Sequence, residues 1–313
     1  MNMRSSARTP SSARDSSLPP KPPENSEPPE LSDSGASDSG ASNSGTPSAD
    51  SRPEESSVAR ANTARVYDAW LGGSENLPVD RALAAEIAER APWVPLGVKA
   101  NRAFLERAVE FLARVGVDQF LDIGTGLPTA RNVHQVAQDI LPDVRVVYVD
   151  NDPDVVSQAQ EILAGQGKVT AILGDARDPR AVLERAAQDG GLDLSRPVAL
   201  LFIAVLHFLS DDDDPAGILN SFRERLAPGS FLVVSHVTPV TGANAPAMRQ
   251  AVRMYQERAV PFIPRNRKVV GRLFGDWELI PPGLVEIDQW RPVTKRRAEA
   301  RVPALGAVAR LVR

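Results

Sequence analysis

Leu121-Asp122-Ile123-Gly124-Thr125-Gly126-Leu127-Pro128-Thr129 is the stretch on which the fold turns. A short apolar run from Gln119 ends on an acid, two glycines follow at alternate positions, and a helix is expected to begin at once, over 129–140. Glycines there let the backbone turn tightly and let a ligand approach with no Cβ in the way. Pro128 suits a first helical turn, whose amides have no intrahelical acceptor. Asp122 is expected to hold its carboxylate at the strand end, facing a ligand crevice.

Working outward, β and α patterns alternate. Strands are expected over 145–149, 169–173, 198–205 and 231–234, and helices over 153–164, 180–188 and 214–226. Runs that are apolar throughout, each followed by a helix, imply a parallel sheet covered on both faces. Right-handed crossovers wind such units into a Rossmann-like sheet. Upstream, the pattern predicts helices over 59–71, stopped by Gly72-Gly73, over 80–90, capped by Asp80, and over 97–114, with breaks at Pro92 and Pro95. Downstream lie a helical segment over 245–258, a stretch broken at Pro281-Pro282-Gly283, and two strands over 284–287 and 305–312.

Two further acids fall at strand ends. Asp150 closes the second strand, 24 residues after Gly126, where a carboxylate can accept from both hydroxyls of a ribose; Asn151 follows it. Gly174-Asp175-Ala176 closes the third, where a carboxylate can take an adenine amino group, or pair with Arg177 or Arg180 instead. Three carboxylates along one crevice disfavour a pyrophosphate and suit a cationic ligand carrying a ribose and a purine. S-adenosylmethionine fits that description, and NAD fits it less well.

The Asp122-x-Gly124-x-Gly126 turn, Asp150, Gly174-Asp175-Ala176 and Leu226-Ala227-Pro228-Gly229 together resemble class I S-adenosylmethionine-dependent methyltransferases. Ser230 stands where that superfamily has a second glycine, and Pro128 where it has a third; neither change removes a ligand group. Ala64 to Asp68, Leu71-Gly72-Gly73, Asn101 to Phe104, Gln119 to Asn132 with His134, Tyr148 to Pro153 and Trp290-Arg291-Pro292 are similar to an S-adenosyl methyltransferase family common in actinobacteria. The resemblance implies a seven-stranded, mostly parallel sheet with an antiparallel last strand and an N-terminal helical cap. It implies S-adenosylmethionine as cofactor, held by Asp122, Gly124, Thr125, Gly126, Asp150, Asn151, Asp175 and Ala176. Added helices before the sheet often lie over the cofactor in such enzymes, which makes Tyr67 and Arg102 candidates for the same contact.

Composition divides the 313 residues. The first 57 hold 17 Ser and 9 Pro, with no aromatic residue, Val or Ile, too little apolar surface to offset ordering, so disorder is expected there. They also carry the net charge of −4, leaving the remainder formally neutral, which argues against nucleic acid as a partner. The basic stretch 291–313 reads as a solvated edge. Expected organisation is therefore a tail (1–57) and a methyltransferase domain (58–313), divided into a helical cap (58–115), cofactor-binding core (116–236), helical substrate-side insertion (237–282) and terminal strand pair (283–313).

There is no cysteine, which excludes disulfides and thiolate chemistry, and His134, His207 and His236 are too scattered for a zinc cluster. His207, just past the fourth strand, is a candidate general base or a histidine bonded beneath a loop. Asp211 to Asp214 read as a helix start rather than a metal site. The longest apolar run, nine residues over 198–206, is about half a membrane span, and no hydrophobic segment follows the N-terminal arginines, so a cytoplasmic protein is expected. Methyl transfer to a small molecule is the leading function. A non-catalytic binder of the same cofactor and an NAD(P)-dependent oxidoreductase are the alternatives.

Overall fold

The computed structural model describes residues 61–128, 131–242, 245–257, 261–292 and 302–313. The serine- and proline-rich stretch 1–57, Thr129, and residues 293–301 of the basic stretch lie outside them.

Three helices precede the sheet. α1 (Thr63–Leu71) starts where the Asn62 side chain accepts the amides of Ala64 and Arg65, and it ends at Gly72 as expected. α2 (Pro78–Arg90) begins two residues before Asp80, which caps it from the third position rather than as the N-cap residue. The buried Asp80 carboxylate accepts from the Leu77 and Asn62 amides, both at 2.8 Å, and from Arg65 Nε at 2.7 Å, joining the starts of α1 and α2. α3 (Trp93–Arg114) starts four residues before the expected Gly97 and runs through Pro95, where the pattern predicts a break. Pro95 falls in the first turn, where a missing N–H costs the helix nothing.

Five strands pair in parallel: β1 (Gln119–Ile123), β2 (Arg145–Asp150), β3 (Val169–Leu173), β4 (Ala199–Ile203) and β5 (Phe231–Val237). The crossovers carry α4 (Val133–Gln138), α5 (Pro153–Ile162), α6 (Pro179–Gln188) and α7 (Pro215–Arg223). The spatial order β3-β2-β1-β4-β5 reverses its winding between β1 and β4, which puts a crevice at the carboxyl ends of those strands. α4 begins after Asn132 rather than at Thr129, so Pro128 lies in a loop, not in a first helical turn.

The C-terminal part holds α8 (Ala245–Gln256), α9 (Arg267–Arg272), β6 (Glu278–Leu279), β7 (Val285–Glu286) and β8 (Ala304–Arg310). β8 lies antiparallel to β5, from Phe231 opposite Arg310 to Val237 opposite Ala304. β6 and β7 both pair with β8, so among the described residues the sheet has eight strands where seven are expected. Pro281-Pro282-Gly283 explains the division: proline cannot donate to a ladder, and two short pieces form in place of one edge strand.

The sheet is apolar on both faces because successive side chains feed two cores. Leu121, Ile123, Val147, Val149 and Phe202 pack with Val182 and Leu183 of α6 and Phe222 of α7. Phe120, Val146, Tyr148 and Leu201 pack with Phe104, Ala108 and Leu112 of α3 and with Trp290. α3 is thus a layer of the sheet along one half and a wall of the crevice at the other, where Asn101 and Arg102 sit. No described helix is long and apolar enough to cross a membrane.

Candidate active site

A crevice of about 490 Å³ opens at the switch between β1 and β4. All ten residues expected to contact the cofactor line it: Tyr67, Arg102, Asp122, Gly124, Thr125, Gly126, Asp150, Asn151, Asp175 and Ala176. Asp122 is 5% exposed and accepts the Thr125 hydroxyl at 3.2 Å. Burial pushes its carboxyl up to about 7, against the opposing pull of Thr125 and of the Arg102 charge.

The glycine turn is held by its neighbours. Gly124 and Thr125 donate their amides to the Val149 carbonyl at 2.7 and 3.1 Å. Gly126 donates to Asp150 Oδ2 at 2.9 Å, and Asp152 donates to Asp150 Oδ1 at 3.1 Å. Burial still raises the Asp150 carboxyl above its ordinary range, more than those amides lower it. Gly124 has φ 66° and Gly126 φ 59°, left-handed values that a side chain resists. A Cβ on Gly124 would stand 2.5 Å from Val205 Cγ2.

Asp175 reaches the crevice already engaged. Arg177 holds both its oxygens, with Nη2 at 2.6 Å from Oδ2, and lowers its carboxyl below the usual range. The side chain remains 38% exposed.

Sequence reasoning missed the partners at the other end. Arg102 donates to Asn132 Oδ1, while Arg102 Nε and Asn132 Nδ2 are buried without hydrogen-bond partners. Two orphaned donors side by side fit a carboxylate, the group that ends the amino-acid part of S-adenosylmethionine. Asn62 donates to Asp152 Oδ2 at 2.6 Å and brings the start of α1 against the crevice. Arg102 and Asn132 both fall in segments that carry the family resemblance, but nothing in the sequence pairs them across the 30 residues between them.

Beyond the crevice lies a smaller, apolar chamber of about 100 Å³. Tyr67, Trp70, Asn101, Ala204, Phe208 and Tyr255 line both spaces. Hydrogen bonds fix this shared mouth: Asn101 Nδ2 donates to the Tyr67 hydroxyl at 2.9 Å, and the Ser235 hydroxyl donates to Asn101 Oδ1 at 2.6 Å. Ala204 donates its amide to the Ser235 hydroxyl at 2.9 Å and holds φ 58°, a strained value for a residue with a side chain. Burial raises the Tyr67 hydroxyl pKa, so the phenol stays protonated.

His207 is buried in the chamber wall beneath the 261–266 segment, where Ile263 donates its amide to the His207 carbonyl at 2.8 Å and Phe262 meets its ring edge-on, while its Nδ1 has no hydrogen-bond partner. Burial, with the nearby His236 and Arg265, holds its pKa well below the ordinary range. His236 is pushed down to about 4, chiefly by burial. His134 serves packing: its Nδ1 lies 2.8 Å from the Tyr148 hydroxyl, away from both spaces. The acidic run behaves as a helix start, with Asp214 accepting the Gly217 amide, Asp213 bound to Ser210 and Asp211 to Arg265. Among the described residues no cluster could hold a metal ion.

A family model described as S-adenosyl methyltransferase matches residues 49–312. The crystal structure of a candidate methyltransferase from Thermobifida fusca YX is 36% identical, with a TM-score of 0.74, over 81% of this chain and 96% of that one. That of a DUF574 family protein from Streptomyces avermitilis MA-4680 is 38% identical, also with a TM-score of 0.74, over 80% of this chain and 97% of that one. No curated protein matches the sequence.

Proposed function

The chain belongs to the S-adenosyl methyltransferase family and is an S-adenosylmethionine-dependent methyltransferase, and we propose that its methyl acceptor is a small molecule seated in the apolar chamber. The observation that carries this reading is the mouth shared by crevice and chamber, ringed by Tyr67, Asn101 and Ala204. A protein that only sensed the cofactor has no need of a second space beside it.

The cofactor, when bound, supplies a methyl group on a positively charged sulfur, already activated for displacement. The work left to the protein is to align the acceptor and exclude water. Asp150 would accept from the ribose hydroxyls with the lone pairs that Gly126 and Asp152 leave free. Asp175 would take the adenine amino group, steadied by Arg177, with Ala176 next to it in the chain. Asp122, ionised, would pair with the ammonium group, and Arg102 with Asn132 would take the carboxylate. Gly124, Thr125 and Gly126 would give the backbone room to pass under the ligand, and Asn151 would help hold the ribose. The Tyr67–Asn101–Ser235 chain keeps the mouth at fixed width.

The test is calorimetric titration with S-adenosylmethionine and, separately, NAD, on wild type and Asp150→Ala. Micromolar binding of the first, lost in the variant, is the expected result, and binding of NAD instead would overturn the assignment of these residues.

A further inference from the structure

We propose that the mouth between crevice and chamber is an aromatic collar for the cofactor's positively charged sulfur, so that S-adenosylmethionine is held more tightly than the S-adenosylhomocysteine it becomes. The inference rests on the reading of the crevice as the cofactor's seat.

Six described residues border both spaces, and four of them are aromatic: Tyr67 and Trp70 of α1, Phe208 of the turn after β4, and Tyr255 of α8. Aromatic residues make up only 5% of the chain, so the mouth is far richer in rings than the sequence at large. All four are half-buried, and each keeps accessible surface.

The rings are also held in place. Tyr67 and Trp70 stand three residues apart on α1 and so share one side of it. The Tyr67 hydroxyl takes the Asn101 side-chain amide at 2.9 Å, and the Trp70 indole N–H donates to the Ala84 carbonyl at 3.0 Å. These bonds tie the polar ends of both side chains to α3 and α2. Across the mouth, Phe208 packs against Tyr255 with ring centroids 5.8 Å apart.

In-line transfer decides what must come to this collar. An acceptor in the chamber meets a methyl group held in the crevice only where the two spaces join, so the sulfur that bears the methyl belongs at the rim. That sulfur carries a permanent charge, which no loss of a proton can remove. A cation over an aromatic face is attracted by the ring quadrupole, and more strongly where water is excluded. Ring faces draw the charge without offering the methyl a competing nucleophile, as a carboxylate at the rim would. The acceptor atom brings an unshared electron pair, so it is not the cation that the rings hold.

Transfer cancels the attraction. The bond from the acceptor atom to the methyl carbon forms as the bond from that carbon to sulfur breaks, and the electron pair stays on sulfur as a neutral thioether. The collar then holds the spent cofactor less tightly, which favours its exchange for a fresh one.

The experiment titrates the full chain by calorimetry at neutral pH with S-adenosylmethionine, S-adenosylhomocysteine and sinefungin, in which an amine-bearing carbon replaces the methylated sulfur. Wild type is expected to bind the first about tenfold or more tighter than the second, with sinefungin close to the first. Phe208→Leu and Tyr67→Leu are each expected to narrow that ratio by about threefold or more, while Tyr67→Phe, which keeps the ring, holds it within about twofold. A substitution that only loosened the fold would weaken all three ligands alike, so the ratio, not the affinity, is the readout. A wild-type ratio near one, or a ratio that neither leucine variant moves, overturns the proposal and leaves the cofactor site standing. Failure of wild type to bind S-adenosylmethionine overturns both.

Discussion

The Asp150 carboxylate accepts the Gly126 amide at 2.9 Å, so the acid that ends β2 holds the glycine turn that follows β1. Its second oxygen takes the Asp152 amide. Each oxygen has two lone pairs, which leaves one apiece for two ribose hydroxyls. Asp150→Ala therefore removes both a ligand contact and a structural one. Two charge-assisted hydrogen bonds correspond to a loss of roughly 100-fold in S-adenosylmethionine affinity, and the stranded Gly126 amide to about 1–3 kcal/mol of stability. Calorimetry and thermal unfolding read the two separately. A variant that melted early but bound normally would remove Asp150 from the ribose.

Gly124 is constrained twice, by its φ of 66° and by Val205, whose Cγ2 would stand 2.5 Å from a new Cβ. Gly124→Ala is expected to cost about 2–4 kcal/mol, of which the left-handed backbone accounts for roughly 1–2. Val205→Ala in the same chain removes the crowding but not the backbone strain. A double-mutant cycle should thus recover part of the loss. Full recovery would mean that the backbone conformation costs nothing there, and no recovery that Val205 already has room to move.

These positions were readable because each strand is an apolar run ending in an acid or a glycine. Asp122, Asp150 and Asp175 sit where such runs stop, and the sheet order brings the stops together. What could not be read depends on side chains that meet across the fold. Asn132 and Arg102 pair from an irregular loop and a helix, and neither is unusual in its own neighbourhood. The chamber draws on α1, α3, β5 and α8, whose aromatic residues look like ordinary core until the helices are in place. α3 carries Pro95 because that residue falls in its first turn, where a missing N–H costs nothing, a position that local propensity alone did not reveal. The Arg177 pairing of Asp175 was legible as an alternative, two residues away.

Asp122 makes the ligand-free protein sensitive to pH. Its carboxyl sits near 7 in the fold, against 3.8 for the free group. Well below pH 3.8 both states are protonated and the group contributes nothing. As pH rises from 4 to 7 the unfolded chain ionises first, so stability falls, and above 7 the loss is complete at roughly 4 kcal/mol or less. Asp122→Asn cannot ionise, and it should therefore melt with wild type near pH 3 and above it at pH 8. The ammonium of the cofactor reverses the balance by favouring the ionised acid. Wild-type affinity should rise between pH 5 and 7, while the variant binds weakly and without that slope. Parallel melting curves at both pH values would show that Asp122 is already ionised in the free protein.

Arg265 is 5% exposed and donates to the Leu206 and Leu209 carbonyls, both at 2.8 Å, and to Asp211 Oδ1 at 2.6 Å. It thereby pins the turn that carries His207, and its Nη1 lies 3.3 Å from His236 Nε2. The His236 ring in turn meets His207 edge-on, with centroids 5.5 Å apart. Arg265→Met takes away the Leu209 carbonyl's donor and leaves the Leu206 carbonyl only the Leu209 amide at 3.4 Å, a change expected to cost about 1–3 kcal/mol. The same substitution takes a positive charge from beside both imidazoles. Protonation becomes easier, so the pKa of His236 should rise from about 4. Burial is its larger cause, and the new value should stay below that of free histidine. The C–H signals of the three histidines, followed by NMR from pH 3 to 8, give the measurement. A His236 midpoint that did not move would mean that the guanidinium is not felt by the ring it touches, and that Arg265 acts on this wall through its carbonyl contacts alone.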